Sequence, residues 1–248
     1  MNETNFTTIF FDLDGTLLPF EESTFMEGYI SLFALKCQQL GIDEEVGISA
    51  LFLGLEAMRV NDGVHTNERV FWDMFFSVVG EYKEEIFNSF IEFYSVEFPS
   101  LIATTYPSSL ANKIVQEAKS KGYRLVLATT PVFPRRGTLE RMKWAGLDPY
   151  DFEIITTYED YSFTKPHLGY YNQILSEMGV KGEEVLMIGN DISADGAIAE
   201  TGARCVFVAD HLINQEEVDI SDAEIYSLNG LYDFIKQLPN IEKKDRLL

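Results

Sequence analysis

Two aspartates, Asp12 and Asp14, stand two residues apart in the stretch Phe10-Phe11-Asp12-Leu13-Asp14-Gly15-Thr16-Leu17-Leu18. The apolar run from Phe6 to Phe11, ending in acidic and turn residues, predicts a buried strand that opens into a loop. In a parallel α/β sheet such a loop lies at the carboxyl edge, where ligands bind. Three later stretches carry matching chemistry: Thr129-Thr130-Pro131, Lys165 before Pro166, and Gly189-Asn190-Asp191 with Asp195. Together they suit attack on phosphorus. Asp12 is the candidate nucleophile, because a carboxylate can form an acyl phosphate and divide one hydrolysis into two steps. Asp14, on the other side of the turn, is the candidate general acid and base. Gly15 lets the chain turn sharply beside a phosphate. Thr129 offers a hydroxyl and Thr130 a backbone N–H to phosphoryl oxygens, and Lys165 brings a positive charge.

Asp12 must stay ionised beside other carboxylates, which a divalent cation makes possible. Magnesium takes oxygen ligands and is commonly held by a few carboxylates, phosphate and water. The expected protein ligands are the carboxylates of Asp12 and Asp191 and the backbone carbonyl of Asp14. Asp195, one helical turn beyond Asp191, is expected to hold a water on the cation or to orient the loop. Each stretch by itself has a plain reading as a solvated turn, a loop, a surface lysine or a pair of helix caps. The specific signal is the joint pattern, with each residue type falling at a predicted strand end.

The elements that must position these residues alternate after about residue 105. Helices are expected over 107–122, 136–145, 167–178, 192–201 and 229–238. Strands are expected over 123–128, 152–156, 184–188 and 204–208, with the first over 6–11. Strands separated by helices of this length predict a doubly wound parallel sheet. Residues 18–104 differ: they hold 15 aromatic, 15 acidic and four basic residues and read as helical throughout. Asp43 and either Thr66 or Asn67 are helix-cap candidates there, and Ser23 or Thr24 another. Phe71, Trp72, Phe75 and Phe76 form a stripe expected to be the core of this block. The predicted organisation is therefore an α/β core of residues 1–17 and 105–248 with an all-helical insert, 18–104, beside the carboxyl edge. Asn61-Asp62-Gly63-Val64-His65 is expected to be either a loop reaching the pocket or an exposed turn.

Composition narrows the partners. The formal charge of −21 repels nucleic acid and anionic membrane surfaces. The chain has no P-loop, no dinucleotide fingerprint and no nucleophile elbow. Its three histidines are scattered and do not resemble a zinc site. Cys37 and Cys205 read as free buried thiols, which suits a reducing cytoplasm. No apolar run reaches the ~18 residues of a membrane span.

The same stretches resemble the haloacid dehalogenase-like (HAD) hydrolase superfamily. Phe10 to Leu18 is similar to its first motif, Leu127 to Pro131 to its second, Lys165 to the lysine of its third, and Gly189 to Asp195 to its acidic fourth. Thr130 stands where the family often has Asn, at a position that contributes mainly backbone. The resemblance implies a Rossmann-like core, magnesium, and an aspartyl-phosphate on Asp12. Dehalogenases of the superfamily generally lack the second aspartate, so Asp14 implies a phosphatase. The insert resembles the helical cap of the phosphoglycolate phosphatase-like subgroup, which implies a small phosphomonoester substrate. The alternatives are a phosphomutase or phosphonatase of the family, or a non-catalytic phosphate-ligand binding or regulatory module on the same fold.

Overall fold

The computed structural model describes residues 6–81 and 83–241. The apolar run before Asp12 forms β1 (Thr8–Phe11), buried at every position. Strands buried on both faces read as continuous apolar runs in parallel sheets. Alternation sends Phe10 to one face and Ile9 and Phe11 to the other, where they join two separate apolar clusters.

From β1 the chain passes into four helices: α1 (Glu22–Gln39), α2 (Glu44–Arg59), α3 (Asn67–Val79) and α4 (Glu84–Val96). The Asp43 carboxylate accepts from the N–H groups of Glu45 and Val46, and the Thr66 hydroxyl from that of Arg69. Those caps match the sequence, whereas the N-cap of α1 is Glu21, two or three residues before the expected Ser23 or Thr24, and makes no side-chain cap hydrogen bond. Phe75, fully buried, packs edge-on against Phe33 and Phe90, which stack at 4.8 Å between ring centroids. Edge-to-face and offset pairs are the favoured aromatic geometries. This aromatic core is continuous with the apolar cluster on the Ile9/Phe11 face of the sheet. A 3₁₀ segment, Phe98–Thr104, leads out of the helical block.

The rest alternates as expected: α5 (Ser109–Ser120), β2 (Arg124–Leu127), α6 (Arg135–Trp144), β3 (Ile154–Ile155), α7 (Leu168–Met178), β4 (Val185–Gly189), β5 (Arg204–Val208), β6 (Ile225–Tyr226) and α8 (Leu228–Gln237). The sheet runs β3-β2-β1-β4-β5-β6, with parallel pairing throughout. It is an α/β, doubly wound parallel sheet. β1 lies near its middle, and the chain order reverses there, so the loop after β1 opens at the topological switch point.

Two expectations fail. A sixth strand, β6, adds to the five read from the sequence. Residues 192–201 are not one helix. Asp191 first folds a turn by accepting from the N–H groups of Ser193 and Ala194, and only Gly196–Thr201 is helical, as 3₁₀. No helix among the described residues is long and apolar enough to cross a membrane. Cys37 is buried and Cys205 half-buried, and both are free thiols.

Candidate active site

β1 ends where the N–H of Asp12 donates to the carbonyl of Ile188 at 2.8 Å. The next residues close a tight loop, with Leu18 N–H on the Leu13 carbonyl and Gly15 N–H on the Leu18 carbonyl. Gly15 has φ +78°, and a Cβ there would stand 2.3 Å from the Asn190 side chain. Left-handed backbone and close approach both demand glycine. The loop thus brings Asp12 against the end of β4.

Lys165 reaches the same point from the loop before α7. Its ammonium lies 2.8 Å from Asp12 Oδ1 and 2.5 Å from Asp195 Oδ1, and all three residues are buried. The other oxygen of Asp195 accepts from the N–H groups of Asn190 and Asp191 at 2.9 and 3.0 Å. A Cβ at Gly189 would lie 2.0 Å from that oxygen, so glycine is needed for the carboxylate to fold back on the strand end. Asp195 is therefore a clamp. It fixes the loop after β4 and aims Lys165 at Asp12.

Burial raises the Asp12 carboxyl to about 7; Lys165 opposes this, while Asp195 and Asp14 add to it. For Lys165, burial acts to lower its pKa, but Asp12 and Asp195 outweigh it and hold the ammonium well above its ordinary value. Two carboxylates share one buried cation here, and that leaves room for a second positive charge.

Asp14 points elsewhere. It is ion-paired with Arg141 of α6, which is almost wholly buried. The Arg141 guanidinium stacks 4.3 Å from the centre of the Phe133 ring. Its Nε is buried, with no hydrogen-bond partner among the described residues. The two aspartates therefore have different partners: Asp12 faces Lys165, and Asp14 faces Arg141.

Asp12, Asp14, Gly15, Thr129, Thr130, Lys165, Asp191 and Asp195 all line one cavity of about 560 Å³. Each of the sequence-predicted site residues is thus in one place. The Thr129 carbonyl accepts from the hydroxyls of Tyr170, at 3.0 Å, and Thr156, at 2.5 Å, which fixes the loop after β2. Arg141, Asn190 and Thr16 were not singled out from the sequence. The Thr16 hydroxyl lies 3.0 Å from Asn190 Oδ1 and 3.3 Å from Asp12 Oδ2. His167 does not line the cavity; it caps α7 and stacks on Phe163. The 61–65 loop does not line it either, and Gly63 packs against Phe163 instead. Just beyond that loop, buried Asn67 donates to the carbonyls of Pro131 and Phe163, tying α3 to the loops that carry Thr130 and Lys165.

Among the described residues, no three His, Cys, Asp or Glu side chains are grouped closely enough to cage a metal ion. A magnesium ion does not need such a cage: one or two carboxylates with substrate and water suffice. The oxygen donors of Asp12 and Asp191, on one cavity wall, are the right chemistry for a hard divalent cation.

A family model described as haloacid dehalogenase-like hydrolase matches residues 6–202, a span that includes every residue just described. The chain belongs to the haloacid dehalogenase-like hydrolases. A HAD relative, glyceraldehyde 3-phosphate phosphatase of Methanocaldococcus jannaschii, is 28% identical over 96% of this chain and 98% of its own. The pyrophosphatase PpaX of Bacillus cereus is 28% identical over 74% of each chain. Among solved structures, a HAD phosphatase from Thermococcus onnurineus superposes with a TM-score of 0.59 at 20% identity, covering 95% of this chain and 100% of that one. That likeness is one of fold. The chain is a HAD hydrolase, and a metal cofactor is general in the phosphatases of this family.

Proposed function

We propose that this protein is a magnesium-dependent phosphatase that hydrolyses a small-molecule phosphomonoester through an aspartyl-phosphate on Asp12. One observation carries the reading. Two aspartates on a single turn have separate cationic partners, Lys165 and Arg141, and so separate tasks. The named phosphatases among the relatives support it.

In the first step a carboxylate oxygen of Asp12 bonds to phosphorus and the bond from phosphorus to the alcohol oxygen breaks. Asp14, entering this step protonated and turned from Arg141 to the departing oxygen, gives that oxygen its proton. In the second step Asp14 takes a proton from water, which attacks the acyl phosphate, releases inorganic phosphate and restores Asp12. Lys165, Thr129 and the Thr130 N–H hold the phosphoryl oxygens while charge moves across them. Magnesium held by the Asp12 and Asp191 carboxylates and the Asp14 backbone carbonyl would neutralise the phosphoryl charge. Gly15 and Asp195 keep the turn and the lysine in place.

Residues 18–104 act, on this reading, as a cap over a core of residues 1–17 and 105–248. A cap that closes excludes water and selects small substrates. The net negative charge argues against nucleic acid and membrane surfaces as partners. The free thiols suit the cytoplasm.

The test is hydrolysis of ethyl phosphate, a simple phosphomonoester, with magnesium. The wild type turns over and loses activity when the metal is chelated, and Asp12→Asn loses at least about a thousandfold. Equal rates in the wild type and Asp12→Asn would sink the proposal.

A further inference from the structure

A second cavity, of about 190 Å³, lies between the helical block and the loops that carry Val132, Phe133 and Tyr158. Its wall includes Tyr29, Leu51, Leu55, Phe71, Trp72 and Tyr94, and no charged side chain lines it. Met26, Val132 and Phe133 line both this chamber and the cavity that holds Asp12. Met26 and Phe133 are only half-buried, and methionine is the side chain best able to move aside.

Protein interiors are close-packed and hold few voids larger than a water. A chamber this large is therefore unusual inside an otherwise dense aromatic core. An apolar cavity of about 150 Å³ stays dry and takes up benzene. The polar atoms on the wall are largely paired with one another. The Tyr29 and Tyr94 hydroxyls lie 2.8 Å apart, and Trp72 Nε1 donates to the Tyr158 hydroxyl at 3.2 Å. One hydroxyl hydrogen of the Tyr29–Tyr94 pair is not used within the pair, which allows one donor to a ligand oxygen. Arg141, the nearby charge, stacks on the Phe133 ring and is not part of the chamber wall.

We propose that this chamber receives the alcohol part of the substrate, and that this part is uncharged and largely apolar, of aromatic-ring size. The inference rests on the phosphatase reading and deepens it. A second phosphate or a carboxylate on the leaving group would lose its water here with no cation to meet it. An apolar ring would fill the void, remove its surface from water and leave the phosphoryl group at Asp12.

The test compares benzyl phosphate, whose alcohol is uncharged and apolar, with phosphoglycolate, whose alcohol carries a carboxylate. Ethyl phosphate, with a small uncharged alcohol, reports the basal chemistry. The wild type should favour benzyl phosphate in kcat/KM by about tenfold or more. Leu51→Trp fills the chamber and should lower that preference by about tenfold. Leu55→Phe, on the less buried part of the wall, is the second variant if the first does not fold. Calorimetric titration with benzyl alcohol measures the chamber apart from catalysis. It should bind the wild type and weaken in both variants. Ethyl phosphate hydrolysis with no benzyl preference, or a preference unchanged in the folded filled variants, overturns the chamber and spares the phosphatase reading. Benzyl alcohol bound at the chamber with no turnover of any phosphate overturns the phosphatase reading and supports the chamber.

Discussion

The loops at the carboxyl edge of the sheet and the helical block before them solve opposite problems. At the edge, buried charge is held by other charge: Lys165 serves Asp12 and Asp195, and Arg141 serves Asp14. Inside the helical block, aromatic rings pack on one another, and the nearby polar atoms pair among themselves. On the proposed function, the edge fixes where a phosphate reacts, and the block fixes how well the whole stands and what accompanies the phosphate. A change at the edge should therefore fail mainly in rate, and a change in the block mainly in stability.

The largest effect expected is on rate. Asp14→Asn removes the proposed proton carrier and should lower kcat by about 10²–10⁴-fold in the folded protein; because it leaves buried Arg141 without its carboxylate, it should also lower the urea unfolding midpoint. A full rate in Asp14→Asn would break the division between the two aspartates. Phe75→Ala tests the other side. It empties the centre of the aromatic core, where Phe75 meets Phe33, Phe71, Trp72 and Phe90. The expected cost is about 3–5 kcal/mol in equilibrium unfolding, with turnover retained in the molecules that stay folded. Normal stability with lost turnover would reverse the comparison.

Asp12, Thr129 and Asp191 were legible because each stands within two residues of the end of a buried strand, whereas Lys165 lies ten residues beyond β3 and was legible only through the joint pattern. Asp12 follows four buried strand residues, and Asp191 follows five. Arg141 had no such signal. It is one of four basic residues in α6, and only the folded turn after β1 brings Asp14 to it. Asn190 was passed over between a glycine and an aspartate, although its side chain meets Gly15 and Thr16. In the block, the Phe71/Trp72/Phe75/Phe76 stripe showed the core, and all four are buried. The chamber beside it was not legible, since a void belongs to no residue. β6 escaped because it has two residues and makes its strand only by pairing with Phe207 and Val208. The helix expected over 192–201 begins late because Asp191 closes a single turn over Ser193 and Ala194, and Asp195 then folds its carboxylate back onto the N–H groups of Asn190 and Asp191.

Smaller effects sharpen the same contrast. Asp43→Ala removes the cap of α2 and should cost about 1 kcal/mol in unfolding, with the relative rates for different phosphates unchanged. A shift in those rates would mean that α2 is poised more finely than its cap suggests. Burial pushes the Cys37 thiol up to about 12. Thiolate is the reactive form, so Cys37 should resist a thiol reagent at neutral pH in the native protein and react once the block unfolds. Ready labelling of Cys37 with no loss of structure would show that the block opens where it is described as closed.

Acid quench during turnover of ethyl phosphate, followed by peptide mass spectrometry, tests the chemistry of the edge most directly. The phosphoryl group should be found on Asp12, within the peptide that carries Phe10 to Leu18, and be absent from Asp12→Asn. Turnover with no phosphoryl group on Asp12, or with one on a different residue, would contradict it.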